Sequence, residues 1–229
     1  MLASGAIDVA PSSSIEYALH PDRYRILPDF VIGSAGPVRS IIFLSDLEPK
    51  LLSGKRVAVP TASATSVVLL KILLKIKWGV EATFTWFDQR TQDPFAMGGD
   101  AALFIGDVAL RPDLYAGKRV RLDLGTEWWE HTGLPFAFAV WQAGSGSAEQ
   151  LRTLRQTLVE SRAYGEAERE LLATRYAPHF KIDPGVLADY WANLRYDLSP
   201  DMIEGLQTYY TLAAGIGEVP RAPELRWVG

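Results

Sequence analysis

The stretch Asp100–Ala101–Ala102–Leu103–Phe104–Ile105–Gly106–Asp107 decides the fold class of this 229-residue chain. Its apolar run has the length of a buried strand, and it ends abruptly in a flexible residue and a carboxylate. An α/β sheet presents polar groups at its carboxyl edge in this way, and ligands usually bind there. The pattern therefore predicts a buried strand that delivers Asp107 to the edge of a cleft.

Strand and helix patterns alternate on both sides of this stretch. The apolar runs Ile41–Leu44 and Lys55–Val59 predict strands, and Val67–Lys77 predicts a helix with one apolar face. Beyond the glycine-serine linker Gly144–Ser147 the pattern is helical to about Ala214. Alternating strands and helices followed by a helical tail are typical of α/β architecture.

The chain is predicted to pass between two lobes twice. Tyr24–Ile32 predicts a pair of strands interrupted by Pro28, after which the chain leaves the first lobe near Arg39 and returns near Phe136. Two crossings form a hinge, and the resulting fold is similar to that of type 2 periplasmic binding proteins, in which a ligand lies between lobes. We expect 1–39 and 138–229 in lobe one and 40–137 in lobe two.

Composition excludes several classes of function. The formal net charge of −4, with scattered Lys and Arg, disfavours a nucleic-acid partner. The absence of cysteine excludes disulfides and thiolate sites. The apolar stretch Val67–Leu74 is too short to cross a membrane and contains Lys71, and the amino terminus lacks the basic region of a secretory signal. A cytoplasmic location is the resulting expectation, and the sequence predicts no oligomeric state.

Two segments place hydroxyl groups where they are able to meet an anion. In Gly36–Ser40 the glycine lets backbone amides approach an anion, and Ser40 begins a crossover strand; the alternative is a plain hinge loop with a capping serine. Ser63, Thr65 and Ser66 open a helix, whose free amides are suited to a carboxylate. Serine and threonine are also ordinary helix caps, so that alternative stays open too.

Asp107 has two interpretations of equal weight. At a strand edge its carboxylate is able to orient a substrate hydroxyl, whereas an aspartate here is also a common cap for the following turn. The histidines His20, His131 and His179 have no metal-ligand spacing, so no metal is expected. The sequence also has no Gly-rich phosphate loop and no dinucleotide fingerprint, and no cofactor is expected. Tryptophans near the apolar strands are interpreted as core residues rather than as the floor of a ring-binding pocket.

Three sequence blocks carry a family resemblance: Gly36–Ser40 (G-P-V-R-S), Ala102–Asp107 (A-x-x-I-G-D) and Thr132–Trp141 (T-G-L-P-F-A-F-A-V-W). Their order resembles the chorismate dehydratase family of the futalosine pathway to menaquinone, over a span from Gly5 to about Pro220. The resemblance implies dehydration of chorismate, a small-molecule substrate, to 3-[(1-carboxyvinyl)oxy]benzoate. It also implies a functional Ser40 and a cleft-facing Ser63–Ser66 segment.

The same resemblance implies that the family carries an opening strand, loop and helix, with an active-site asparagine, before the block that begins at Gly5. We therefore expect the natural start to lie upstream of Met1. Two rival functions remain. One is a non-catalytic solute-binding protein for a small carboxylate or other anion. The other is an enzyme similar to 1,4-dihydroxy-6-naphthoate synthase, although that branch lacks the Thr132–Trp141 run.

Overall fold

The strands of this computed structural model form two sheets, and the structure describes residues 1–111, 117 and 120–229. Sheet I is antiparallel, has the order β1–β8–β2, and consists of β1 (Val9–Ser13), β2 (Arg25–Ser34) and β8 (Phe136–Ala143). Sheet II has the order β5–β4–β6–β3–β7 and consists of β3 (Ile41–Ser45), β4 (Arg56–Pro60), β5 (Thr83–Phe87), β6 (Ala101–Ile105) and β7 (Val120–Asp123).

Helices connect and cover these sheets. Within the described residues the chain forms α1 (Ser14–Leu19), α2 (Thr65–Ile72), α3 (Gly106–Ala109), α4 (Leu124–Thr132), α5 (Ala148–Ala167), α6 (Arg169–Phe180), α7 (Pro184–Asn193) and α8 (Pro200–Gly215). A π-helical turn, Leu73–Lys77, extends α2, and a 3₁₀ turn occupies Pro49–Leu51. The predicted Val67–Lys77 helix and the predicted helical tail are thus confirmed.

Sheet II is mixed, and its pairing brings several polar chain segments to one edge. β4 runs parallel to β5 and β6, whereas β3 runs antiparallel to β6 and β7. Ile41 at the start of β3 therefore pairs with Ile105 at the end of β6, and Asp123 at the end of β7 pairs with Ile42. The beginning of β3 thus lies beside the carboxyl ends of its neighbours, and we call this side the polar edge.

The chain passes from sheet I to sheet II between Ser34 and Ile41, and it returns through α4 to β8. β8 as a whole, from Phe136 onward, belongs to sheet I. The lobe boundaries at 39/40 and 137/138 stay a prediction.

Pro28 does not interrupt the strand in which it lies, so the predicted pair of strands is wrong. β2 runs from Arg25 to Ser34, with a register shift against β8 between Ile26 and Val31. Proline has no N–H to donate, and an edge strand with an irregular register tolerates this loss. Asp29 within the irregular part has a positive φ of 73°.

An aromatic cluster packs α4 against sheet I and α8 at the return crossing. The buried Trp128 ring of α4 lies edge-on to Phe136 of β8 at 5.1 Å between centroids, and Tyr209 of α8 packs edge-on against Phe136 at 4.9 Å. Trp128 Nε1 donates to the carbonyl of Pro135, which satisfies its only polar atom. Burial of these rings makes the return crossing a rigid part of the core.

Candidate active site at the polar edge of sheet II

The crossing from β2 to β3 is held in place by one carboxylate. Asp123 closes β7 and caps α4, accepting hydrogen bonds from the backbone N–H groups of Gly125 (2.9 Å) and Thr126 (3.2 Å). The same carboxylate accepts from the N–H groups of Val38 (3.0 Å) and Arg39 (2.5 Å) in the crossing. Arg39 has a φ of 65°, a strained value for a non-glycine residue, and the bond to Asp123 helps to hold it there.

Gly36, a predicted binding residue, lies buried against α4 in this crossing. Its φ of 92° requires glycine, and its carbonyl accepts a hydrogen bond from Ser34 Oγ at 2.9 Å. A Cβ on Gly125 would lie 2.5 Å from that carbonyl oxygen, so α4 approaches the loop as closely as glycine allows. A role of Gly36 in ligand binding stays a prediction.

Ser40, the predicted catalytic residue, lies at the polar edge between the crossing and β3. It is 4% exposed, and its backbone carbonyl accepts from Gly106 N at 2.7 Å, which joins the segment before β3 to the segment after β6. Tyr190 of α7 lies close enough for the Ser40 hydroxyl to lower the pKa of its phenol, although burial raises that pKa overall. The structure therefore brings a residue of the helical tail to the start of β3.

Two tyrosines of the tail lie close together near this point. Burial raises the pKa of Tyr190, and the neighbouring Ser40 hydroxyl lowers it only in part. Burial and the neighbouring Tyr190 raise the pKa of Tyr196 to about 12. Both phenols thus remain protonated near neutral pH, and they are uncharged hydrogen-bonding groups.

Thr65 and Ser66 lie at the amino end of α2, but their hydroxyl groups are already engaged. Thr65 is 1% exposed; its Oγ1 lies 3.0 Å from Ser13 Oγ of β1 and accepts from Ile15 N at 3.1 Å. Ser66 N donates a hydrogen bond to Ser63 Oγ at 3.2 Å. The Ser63 hydroxyl in turn donates to Ser66 Oγ at 2.9 Å. Thr65 N donates to Ser13 Oγ at 3.3 Å, so Ser13 and Ser63 already accept from the amides at the start of α2 that a carboxylate would need.

The contact between Thr65 and Ser13 joins sheet I to the helix that follows β4 of sheet II. A second link comes from Tyr209 of α8, whose hydroxyl donates to the Thr65 carbonyl at 3.1 Å. Lys71 of α2 forms a third link, an ion pair with Glu218 at 2.8 Å. These three contacts fasten α2 to β1 and to the helical tail.

Asp107 lies in the first turn of α3, beyond the positive-φ residue Gly106. Its side chain is 35% exposed and pairs with the guanidinium of Arg90 at 3.1 Å. Gln89, next to Arg90, donates to the carbonyl of Ile105 and accepts from its N–H, so the loop after β5 is fastened to the end of β6. Asp107 retains access to solvent at the polar edge, and its substrate contact stays a prediction.

The structure thus brings Gly36, Ser40 and Asp107 to one edge of sheet II, and it places Ser63, Thr65 and Ser66 at the helix after β4 of that sheet. Sequence reasoning missed Tyr190, Ser13, Arg90 and Asp123. Asp123 was the easiest of these to predict, because an aspartate between a strand pattern and a helix pattern is a typical helix cap. Ser13 and Tyr190 meet their partners only through tertiary packing, and no local pattern identifies them.

Comparison with known proteins assigns the chain to a family. A family model described as menaquinone biosynthesis matches residues 1–215. The chain belongs to this family. A relative from Thermus thermophilus, named chorismate dehydratase, is 34% identical over 242 residues, and the match covers 97% of this chain and 84% of that protein. The predicted family is therefore confirmed.

Solved structures confirm the predicted fold class. A protein from Archaeoglobus fulgidus has a TM-score of 0.76 at 23% identity, covering 95% of this chain and 82% of that one. The periplasmic aliphatic sulphonate binding protein of Escherichia coli has a TM-score of 0.66 at 17% identity, covering 98% of this chain and 75% of that one. This member of the menaquinone biosynthesis family thus has the α/β fold of periplasmic binding proteins.

The described residues, 1–111, 117 and 120–229, contain no helix that is both long enough and apolar enough to span a bilayer. They also contain no group of three or more His, Asp or Glu side chains arranged to hold a metal ion.

Proposed function

We propose that this protein is a chorismate dehydratase of menaquinone biosynthesis. The observation that carries the proposal is the 34% identity to the Thermus thermophilus chorismate dehydratase along 97% of the chain. The family model gives independent support for the pathway. The likeness to sulphonate-binding proteins is at 17% identity and speaks for the fold alone, so a non-catalytic anion-binding role is the second choice.

The proposed reaction suits an edge that carries hydroxyl groups. Chorismate loses its ring C3 proton and its C4 hydroxyl, a C3–C4 double bond forms, and the products are water and 3-[(1-carboxyvinyl)oxy]benzoate. The ring becomes aromatic, so the substrate supplies the driving force and the step needs no electron acceptor. The protein has to orient two carboxylates and exclude water, which directed hydroxyls and a closing cleft are able to do.

We assign the Ser40 hydroxyl as the donor to one substrate carboxylate. Its burial and its place beside the end of β6 support this role, since a donor held in a site of low polarity acts more strongly than one in water. Gly36, Ser63, Thr65, Ser66 and Asp107 are proposed to bind the substrate. For Thr65 and Ser66 this binding includes opening of the contacts with Ser13 and Ser63.

The proton acceptor in this proposal is the enolpyruvyl carboxylate of the substrate itself. The segments at the polar edge, 36–40, 63–66 and 105–107, contain no histidine and no lysine. A substrate carboxylate titrates well below neutrality, so kcat should be level from about pH 6 to 8. A bell-shaped profile centred in that range would assign the proton to a group of the protein instead.

The test is to incubate the purified protein with chorismate and to follow the ultraviolet absorbance of the aromatic product. Ser40→Ala should lower turnover about ten- to hundred-fold, because a hydrogen bond to a charged group contributes about 1.5–3 kcal/mol. Ser45→Ala is the matched control: it removes a buried hydroxyl at the opposite end of β3 and should retain turnover. Binding of chorismate without product would favour the solute-binding alternative.

We propose that the protein and its small-molecule substrate are cytoplasmic, the location that the proposed pathway role implies. Cell fractionation tests this location separately from activity. Recovery of the protein in a periplasmic fraction would contradict it.

A further inference from the structure

A cavity of about 340 Å³ lies between sheet I and the helical tail, and we call it the tail cavity. Residues of β2 and β8 line it on one side, and residues of α5, α6 and α7 together with Tyr196 line it on the other. Among the described residues that line it, none belongs to the polar edge of sheet II. Protein pockets for small molecules have volumes of about 300–1,000 Å³, so the tail cavity is large enough for a ligand of one or two rings.

Helix α5 turns one face towards the tail cavity without burying it. Leu158, Arg162 and Gly165 line the cavity and recur at helical spacing, so they share that face. No residue of this 20-residue helix is buried. A Cβ on Gly165 would meet no atom within 4 Å, so open space adjoins the helix at this point. The face of α5 therefore leaves room for another molecule against sheet I.

Aromatic side chains from three parts of the fold converge on the tail cavity. They are Phe30 of β2, Trp141 of β8, Trp191 of α7 and Tyr196. Phe30 is 4% exposed, whereas the two indoles are half-buried and have ring surface left for a ligand. Aromatic rings pack favourably on one another in stacked or edge-on arrangements. The mostly apolar lining therefore favours a ligand that contains an aromatic ring.

Two arginines give the tail cavity positive groups. The guanidinium carbon of Arg162 lies 5.6 Å from the centre of the Phe30 ring, and Arg169 lines the cavity from the start of α6. Within the part of the chain that the structure describes, neither guanidinium forms an ion pair, whereas Arg155 of α5 pairs with Asp29. Glu166 is the one acid of the described lining, which leaves a net charge of about +1 at neutral pH.

We propose that the tail cavity binds an aromatic carboxylate, with its ring against the indoles of Trp141 and Trp191 and its carboxylate on the guanidiniums of Arg162 and Arg169. The planar fork of an arginine matches the two oxygens of a carboxylate, and it retains its donors while it rests on a ring. The inference does not depend on the proposed function, because the tail cavity and the polar edge share no described residue.

The first test is calorimetric titration of the full chain with 1-naphthylacetate, a carboxylate with two fused rings. We expect a Kd of about 1 mM or lower, the affinity of a ligand of this size bound with ordinary efficiency. The amide 1-naphthylacetamide has the same shape without the charge and should bind about tenfold more weakly. Cyclohexylacetate has the charge without the aromatic ring and should also bind more weakly. Equal affinity for acid and amide would overturn the proposal, and so would the absence of binding by 1-naphthylacetate.

Arginine variants test the charged part of the site. Arg162→Met and Arg169→Met each keep an apolar stem and remove the charge, and each should raise the Kd of 1-naphthylacetate about tenfold. Arg175→Met is the matched control, because Arg175 is an exposed arginine of α6 that lies over the Tyr176 ring at 5.8 Å and does not line the cavity. A rise of the same size in Arg175→Met would mean that general surface charge attracts the ligand, and it would overturn the proposal.

Gly165→Leu tests the location of the ligand, because its side chain would fill the open space beside α5. Binding of 1-naphthylacetate should be lost, and the urea midpoint should not fall, since leucine forms helices better than glycine does. Gly165→Ala adds only a Cβ and should retain binding. Undiminished binding by a folded Gly165→Leu protein would overturn the proposal.

Ser40→Ala separates the tail cavity from the polar edge. This variant should bind 1-naphthylacetate as the wild type does, and a loss of binding would place the ligand at the polar edge and overturn the proposal. Gly165→Leu should in turn keep the chorismate turnover of the wild type. Because binding of 1-naphthylacetate is measured without turnover, failure of the proposed function leaves this test intact.

Discussion

Two aspartates of sheet II, Asp123 and Asp107, lie at the same edge and differ in what their carboxylates contact. Asp123 accepts four backbone hydrogen bonds, from both the crossing and the start of α4. Asp107 is 35% exposed and faces the side chain of Arg90, which is itself 68% exposed. A carboxylate saturated by backbone donors holds structure, whereas one that faces an exposed cation is still able to accept a ligand.

The largest loss of stability is expected from a substitution of Asp123. Asp123→Ala removes the shared acceptor of α4 and of the crossing, so the free energy of unfolding should fall by about 2–4 kcal/mol. Urea unfolding measures the change. Asp183→Ala is the matched control, because Asp183 caps α7 through the N–H groups of Gly185 and Val186 and, within the part of the chain that the structure describes, has no bond to the crossing.

The excess loss in Asp123→Ala over Asp183→Ala reports the two bonds to Val38 and Arg39. Equal losses of unfolding free energy in the two variants would mean that Asp123 is an ordinary helix cap. The crossing would then keep its conformation without the two bonds to the Asp123 carboxylate. Turnover of chorismate should fall together with stability, since Ser40 follows Arg39 directly.

The sequence predicted the elements whose signals are local. β6 and α2 carry an apolar run and a helical period within their own residues, and both were found. The irregular course of β2 past Pro28 was missed, because the tolerance of proline depends on the strand's place at the sheet edge. That place is fixed by the pairing of β2 with β8, which a local pattern does not contain.

The candidate site divides in the same way. Motifs indicated where hydroxyls gather, at Ser40 and at Ser63–Ser66, because glycine and helix-cap patterns are local. They did not indicate which groups those hydroxyls meet. Ser13 reaches Thr65 from β1, and Tyr190 reaches Ser40 from α7, so these partners depend on how the sheets and the tail pack.

Thr65 resembles Asp123, because the oxygen of its side chain is already hydrogen-bonded within the protein. Thr65→Val removes the acceptor of Ile15 N and the partner of Ser13 Oγ in a buried region, so stability should fall by about 1–3 kcal/mol. Urea unfolding measures this change, and Thr65→Ser, which keeps the hydroxyl, should lose clearly less. An unchanged midpoint with a raised KM in Thr65→Val would instead make the hydroxyl a substrate contact alone.

Asp107 should give the smallest change in stability and thereby complete the contrast. Its ion pair with Arg90 is largely exposed, and such pairs contribute about 0–1 kcal/mol, so Asp107→Ala should leave the urea midpoint close to wild type. Under the proposed function the same change removes an acceptor for a substrate hydroxyl, and KM for chorismate should rise about three- to tenfold.

Arg90→Ala is the control, because it breaks the same ion pair and leaves the carboxylate in place. If the two variants raise KM equally, the ion pair orders the loop after β5 and Asp107 has no contact of its own with the substrate. If Asp107→Ala alone raises KM while both midpoints hold, the exposed carboxylate is the functional one of the two aspartates.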